Sequence, residues 1–146
     1  MTAKEYLSQA HSLNEIIEAD LIELDTLKDL SKSISSPNFE PRYETTRNID
    51  PPFVKYLGRI VELENYINAE IDRYVNLKIQ IHEVISQLKN ADEKAVLTYR
   101  YIHDMTWSEI GRHLYIDEST AKRRHARGLE HIVLPDNPLT LKVEPK

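Results

Sequence analysis

The sequence predicts an all-α protein, with an N-terminal long-helix hairpin or coiled coil followed by a C-terminal helix-turn-helix domain. Two observations predict it. Apolar residues recur at threes and fours through residues 3–34 and again through 53–88, and residues 92–132 read as three short helices, the last two joined by a tight turn. The chain divides accordingly into a helical hairpin or coiled-coil region for oligomerisation or interaction (1–89, with a linker at 35–52), the helix-turn-helix (90–132) and a C-terminal tail (133–146).

In the first helix the apolar stripe is Leu7, Ala10, Leu13, Ile17, Leu21, Leu24, Leu27, Leu30 and Ile34. Ser35-Ser36-Pro37 and the later Pro51-Pro52 break the pattern, so residues 35–52 are expected to be a loop or linker. From Phe53 the spacing becomes an uninterrupted alternation of fours and threes: Phe53, Leu57, Ile60, Glu64, Ile67, Ile71, Tyr74, Lys78, Ile81, Ile85, Leu88. Glu64 and Lys78 interrupt this seam at the same heptad position. A parallel in-register pair would bury like charges against each other, so antiparallel pairing or a fold-back onto residues 3–34 is expected. A second row, Tyr56, Leu63, Leu77 and Val84, widens the apolar face and points to more than one helical neighbour. The expectation is an intramolecular hairpin that also self-associates.

Val96, Leu97 and Tyr101 share one face of the next helix, with Asp92 and Glu93 in its first turn, where the helix dipole favours acids. Thr106-Trp107-Ser108-Glu109 has the form of a capping box and starts another helix, whose inner face is Ile110 and Leu114. Gly111 lies between these two and is expected to let another helix cross closely. Asp117 is placed to cap the last helix, with Ile116 before it to plug the core.

At 100° per residue, an inward Ala121 also turns His125, Gly128, Leu129 and Ile132 inward and sets Ser119, Arg123, Ala126 and Glu130 outward, flanked by Lys122 and Arg127. Small and cationic side chains on one strip suit the major groove of double-stranded DNA. Arginine pairs with guanine through two hydrogen bonds, and small residues allow close approach to phosphates and base edges. The expected DNA-binding residues are Ser119, Thr120, Lys122, Arg123, Arg124, Ala126 and Arg127, with Arg124 nearer the core edge as a phosphate contact or surface ion pair.

Residues 99–129, from Tyr99-Arg100-Tyr101 to Arg127-Gly128-Leu129, resemble region 4 of bacterial sigma factors, and more closely its relatives in small phage transcriptional regulators of the RinA and ArpU type. The resemblance covers residues 90–132. It implies a sequence-specific DNA-binding transcriptional regulator, encoded by a phage or prophage, that acts on late or packaging genes, with RNA polymerase as a further partner. Three residues depart from the pattern: Tyr115 stands where the turn usually has Gly, His125 replaces a core Leu, and Gly128 replaces an Ala.

Composition narrows the alternatives. The chain of 146 residues has no cysteine, which excludes disulfides and thiolate chemistry. No apolar run is long enough to span a bilayer and the first residues lack a signal peptide's hydrophobic segment, so a cytoplasmic location in a bacterial host is expected. The histidines His103, His113, His125 and His131 lack the spacing and acidic partners of a zinc site. No cofactor is expected. Nor is enzymatic activity, since neither a nucleophile with its base nor a phosphate loop is present.

The net charge of −5 is unevenly spread, with 3 cations against 7 anions in residues 1–34 but four cations against one anion in residues 118–129. Local field decides groove binding, so the basic helix is compatible with DNA. The contrasting function class is a helical protein-interaction module that binds RNA polymerase or another regulator without specific DNA binding.

Overall fold

A computed structural model of the chain describes residues 1–34 and 52–141. Among these residues the structure is all-helical: α1 (Ala3–Ile34), α2 (Pro52–Ser86), α3 (Ala91–Leu97) continued by a π-helical turn (Thr98–Ile102), α4 (Trp107–Leu114) and α5 (Glu118–His131). Pro52 opens α2, a position where a missing N–H costs nothing. The rest of the expected linker at 35–52 lies outside the described residues.

Two compact units divide the chain, residues 1–14 with 73–146 and residues 15–72. The boundary between these units falls inside the long helices. Its cause is a shared core. Tyr6, Leu7 and Ala10 of α1, Leu77, Ile81, Val84 and Ile85 of α2, and Leu88 cluster with Leu97 and Tyr101 of the helix-turn-helix. Fully buried Leu and Tyr side chains stabilise by roughly 1.5–3 kcal/mol each, so the ends of the two long helices supply much of what holds the C-terminal helices. Residues 90–146 excised alone would expose Leu97 and Tyr101.

In the second unit α1 meets α2 through a thin core of Leu24, Ile60, Leu63 and Ile67, with Leu27 against it. Ion pairs Arg59–Glu23 (3.4 Å) and Lys28–Glu64 (3.6 Å) flank it, with all four side chains about half exposed.

The expected α2 seam is drawn one residue off. Leu57 and Ile71 are exposed, at 46% and 37%, and Glu64 reaches out to Lys28. The buried row is Ile60, Leu63, Ile67, Glu70, Leu77, Ile81, Val84, Ile85 and Leu88, with Tyr74 partly buried. In place of Glu64, Ile71 and Lys78 the buried row takes the preceding residues, two of them, Leu63 and Leu77, from the expected second row, while Ile85 is buried as expected together with Val84. Lys78 is likewise not a buried seam charge: its Nζ donates to the Ile102 carbonyl and lies 5.1 Å from the Tyr74 ring centre. In α1, Leu21 and Leu30 are exposed while Tyr6, outside the expected stripe, is fully buried. The side chains of Ile34 and Phe53 lie outside the described residues.

Candidate nucleic-acid interface

The helix-turn-helix is assembled by local hydrogen bonds. Asn90 caps α3, its Oδ1 accepting from the N–H groups of Asp92 (2.8 Å) and Glu93 (3.1 Å). At α4 the capping box is complete: Glu109 N–H donates to Thr106 Oγ1 (3.2 Å) and Thr106 N–H donates to Glu109 Oε1 (3.2 Å). The Thr106 backbone N–H, and then its hydroxyl, hold the Glu109 carboxyl below the usual carboxylate range.

The turn between α4 and α5 depends on two residues. Tyr115 adopts the left-handed conformation (φ 56°, ψ 46°) and leaves its ring 93% exposed. Glycine adopts this φ without cost, whereas tyrosine carries backbone strain there. Gly111 serves this turn and not a helix crossing, since a Cβ there would sit 2.7 Å from the Ile116 carbonyl oxygen, whose own N–H bonds the Gly111 carbonyl at 3.0 Å. The helix crossing occurs at Gly128, where a Cβ would lie 2.9 Å from Leu97 Cδ1 and 3.4 Å from Glu93 Cβ. Gly in place of Ala lets α5 approach α3 closely. Asp117 has the extended backbone of an N-cap, but its side chain makes no cap hydrogen bond.

α5 presents the expected faces. Ala121, His125 and Gly128 are buried, while Ser119, Lys122, Arg123, Ala126 and Arg127 are exposed, with Thr120 and Arg124 half-buried at the margin. Arg124 Nη1 lies 3.7 Å from Asp92 Oδ1, an ion pair that ties α5 to α3. Arg123 Nη2 donates to Thr120 Oγ1 at 3.1 Å, which lays its guanidinium along the strip. Among the described residues neither Lys122 nor Arg127 makes an ion pair, so both can neutralise phosphates without breaking an internal contact.

Beneath the strip lies an aromatic core. Tyr101 Oη and His125 Nε2 are 2.6 Å apart, with the rings stacked at 5.5 Å, and Trp107 meets the imidazole edge-on at 4.9 Å. Arg100 covers the Trp107 ring at 4.4 Å and donates to the Met105 carbonyl. Burial, followed by the positive charges of Arg100 and Lys4, holds His125 down to about 4, so its imidazole is neutral at physiological pH and packs where Leu would otherwise stand. Val96, Ile110 and Ala121 complete the small core with Tyr99, Met105, Leu114 and Ile116 around them.

Three features went unread in the sequence. Asn90 directly before Ala91-Asp92-Glu93 is a legible N-cap. Arg112 and His113 are exposed on α4 and line an open concavity with Tyr115 and Glu109, where Arg112 adds a cation. The buried Glu93 carboxylate, bonded to His131 Nδ1 at 2.6 Å, ties the start of α3 to the end of α5 across 38 residues, and no local pattern announces it. Among the described residues no group of three potential ligands could hold a metal ion, and no helix is long and apolar enough to cross a membrane.

Two short helices joined by a strained turn, the second helix exposing a cationic strip over a packed core, define a helix-turn-helix of the DNA-binding type. Residues 85–132 match the sigma-70, region 4 family, about a third of the chain, so this domain is similar to that DNA-binding regulatory region. No curated protein and no solved structure matches the chain.

Proposed function

We propose that the protein is a sequence-specific DNA-binding regulator of transcription. The observation that carries the reading is the strip on α5, lying within the segment that matches sigma-70 region 4. Arg123 reads a base edge, Ser119 and Ala126 permit close approach, and Lys122 and Arg127 hold phosphates, with Thr120 and Arg124 at the margin. A domain of balanced charge binds DNA modestly as one copy, so the reading includes pairing of copies through the long helices or contact with RNA polymerase. Ile16, Ile22, Leu57 and Val61 of the second unit, each more than 40% exposed, supply apolar surface for self-association. The resemblance to phage regulators of the RinA and ArpU type extends the proposal to a phage or prophage gene acting on late or packaging genes in the bacterial cytoplasm.

A second reading is favoured by one observation. Asp117 and Glu118, exposed at the start of α5, place acids at the helix end that approaches bases in such domains. In that reading the helix-turn-helix meets RNA polymerase or another regulator and does not select DNA. The two separate when genomic DNA fragments are captured on the intact chain at physiological salt. The regulator reading expects one recurring sequence pattern that is lost with Arg123→Ala. Fragments without a common pattern, recovered equally by the variant, assign the domain to protein contact.

A further inference from the structure

After α5 the chain turns back over the first unit, and Ile132, Leu134 and Leu141 pack against the shared core. The main chain of this segment is held by side chains. Leu139 N–H donates to Gln80 Oε1 (2.9 Å), and Gln80 Nε2 donates to the Asn137 carbonyl (3.1 Å). Gln9 Nε2 donates to the Leu139 carbonyl (2.9 Å), and Leu141 N–H donates to Gln9 Oε1 (2.9 Å). Arg73 Nη2 then donates to the Leu141 carbonyl (3.3 Å).

All five bonds fall on residues 137, 139 and 141. In an extended chain alternate residues turn both their N–H and their C=O to the same edge. Two side-chain amides, each a donor and an acceptor, therefore stand where a neighbouring strand would stand. Pro138 occupies a skipped position, where its missing N–H is not called for.

The two amides are also set independently of the tail. Tyr6 Oη, fully buried and with its hydroxyl pushed up to about 12 by burial and then by Glu83, donates to Gln80 Oε1 at 2.6 Å. Gln9 Nε2 donates to the Tyr6 carbonyl at 3.2 Å. A cavity of about 100 Å³ remains beside the segment, lined by Arg73, Asn76, Leu77, Leu139, Thr140 and Leu141.

We propose that Gln9, Arg73 and Gln80 form a groove that binds an extended peptide through its main chain, filled in cis by residues 137–141 and open to the same segment of a second copy. Recognition is of the backbone edge, with Leu141 as the apolar anchor. The attached tail competes as a ligand at high effective concentration, so a free peptide enters readily only when the tail is released.

The test uses the full chain and a fluorescein-labelled peptide of residues 132–141 as the probe for another copy's tail. Leu139→Pro with Leu141→Pro removes the two N–H donors of the attached tail and leaves the groove intact. This variant should bind the peptide about tenfold or more tightly than the intact chain does, and adding Gln9→Ala and Gln80→Ala should abolish binding. Equal affinity for the intact and proline variants, or binding that survives the glutamine substitutions, overturns the groove. So does no binding to a proline variant that retains its helical circular dichroism. Should that variant fail to fold, hydrogen exchange in the unmodified chain decides: Leu139 and Leu141 amides are expected to exchange slowly and the intervening Thr140 amide fast, whereas three equal rates contradict the proposal.

Discussion

The helix-turn-helix and the second unit are built on opposite principles. Residues 90–132 hold their shape by many specific devices, some local and some not: the Asn90 cap, the Thr106–Glu109 box, the Tyr115 turn, the Tyr101–His125–Trp107 cluster and the Glu93–His131 bond. Among the described residues of 15–72 the packing is one narrow apolar row, Leu24 against Ile60, Leu63 and Ile67, with Ile22 and Val61 left 68% and 55% exposed. Where many weak devices agree, side chains are fixed in direction and a recognition surface can be presented. Where a single row carries the packing, apolar surface is left over for another chain to cover.

Core truncation gives the largest difference between the regions. Leu97→Ala, at a fully buried side chain shared by the helix-turn-helix and the ends of the long helices, should cost about 2–5 kcal/mol. Leu24→Ala, in the thin row and 7% exposed, should fall at the lower end, about 2 kcal/mol. Chemical denaturation measures both, and a larger loss at Leu24 would break the comparison.

Next in size is a pH dependence confined to the aromatic core. Because His125 is held to about 4 in the folded chain and returns to 6.5 when unfolded, the unfolded state binds the proton that the native state refuses. The stability is therefore whole above about pH 6.5 and is lost as pH falls toward 4. Tm should decline between pH 6.5 and 5, and His125→Leu should remove most of that decline. An identical slope in the variant would remove His125 from the account.

A smaller effect is expected at the turn. Tyr115→Gly should raise stability by about 1 kcal/mol by relieving the left-handed backbone, provided that the exposed ring makes no contact of its own. A lowered Tm would show that the tyrosine stabilises the turn. Smallest is Glu64→Ala, which removes a half-exposed partner of Lys28 and should shift stability by less than about 0.5 kcal/mol. A loss near that of Leu24→Ala would put Glu64 back into the seam.

The same contrast explains what the sequence disclosed. In the helix-turn-helix the signals are chemical and local, so a Thr three residues before a Glu specifies a cap, and an inward Ala121 fixes by angle alone that Arg123 and Ala126 face out. In α2 the signal is periodic, and two rows satisfy the period equally. Both contain Ile60, Ile67, Tyr74, Ile81, Ile85 and Leu88; from Ile60 onward they diverge between Glu64, Ile71 and Lys78 on one side and Leu63, Glu70 and Leu77 on the other. One row carries two charges, Glu64 and Lys78, and the other only Glu70, so polarity leans to the second row and the neighbouring helix makes the choice. The Glu93–His131 bond and the shared core of Leu97 with Tyr6 were equally out of reach, because each joins residues that no local pattern relates.

The proposed role of α5 is to read base sequence through Arg123 while Lys122 and Arg127 hold the DNA backbone. Its most direct measurement is a salt-dependent binding isotherm for the intact chain and the three alanine variants, on the preferred site and on scrambled DNA. Arg123→Ala is predicted to cost about 1–3 kcal/mol on the preferred site alone, while Lys122→Ala and Arg127→Ala weaken both DNAs and each flatten the salt slope by about one unit. Unchanged discrimination in the Arg123 variant, or no binding by the intact chain above the scrambled control, would contradict the account.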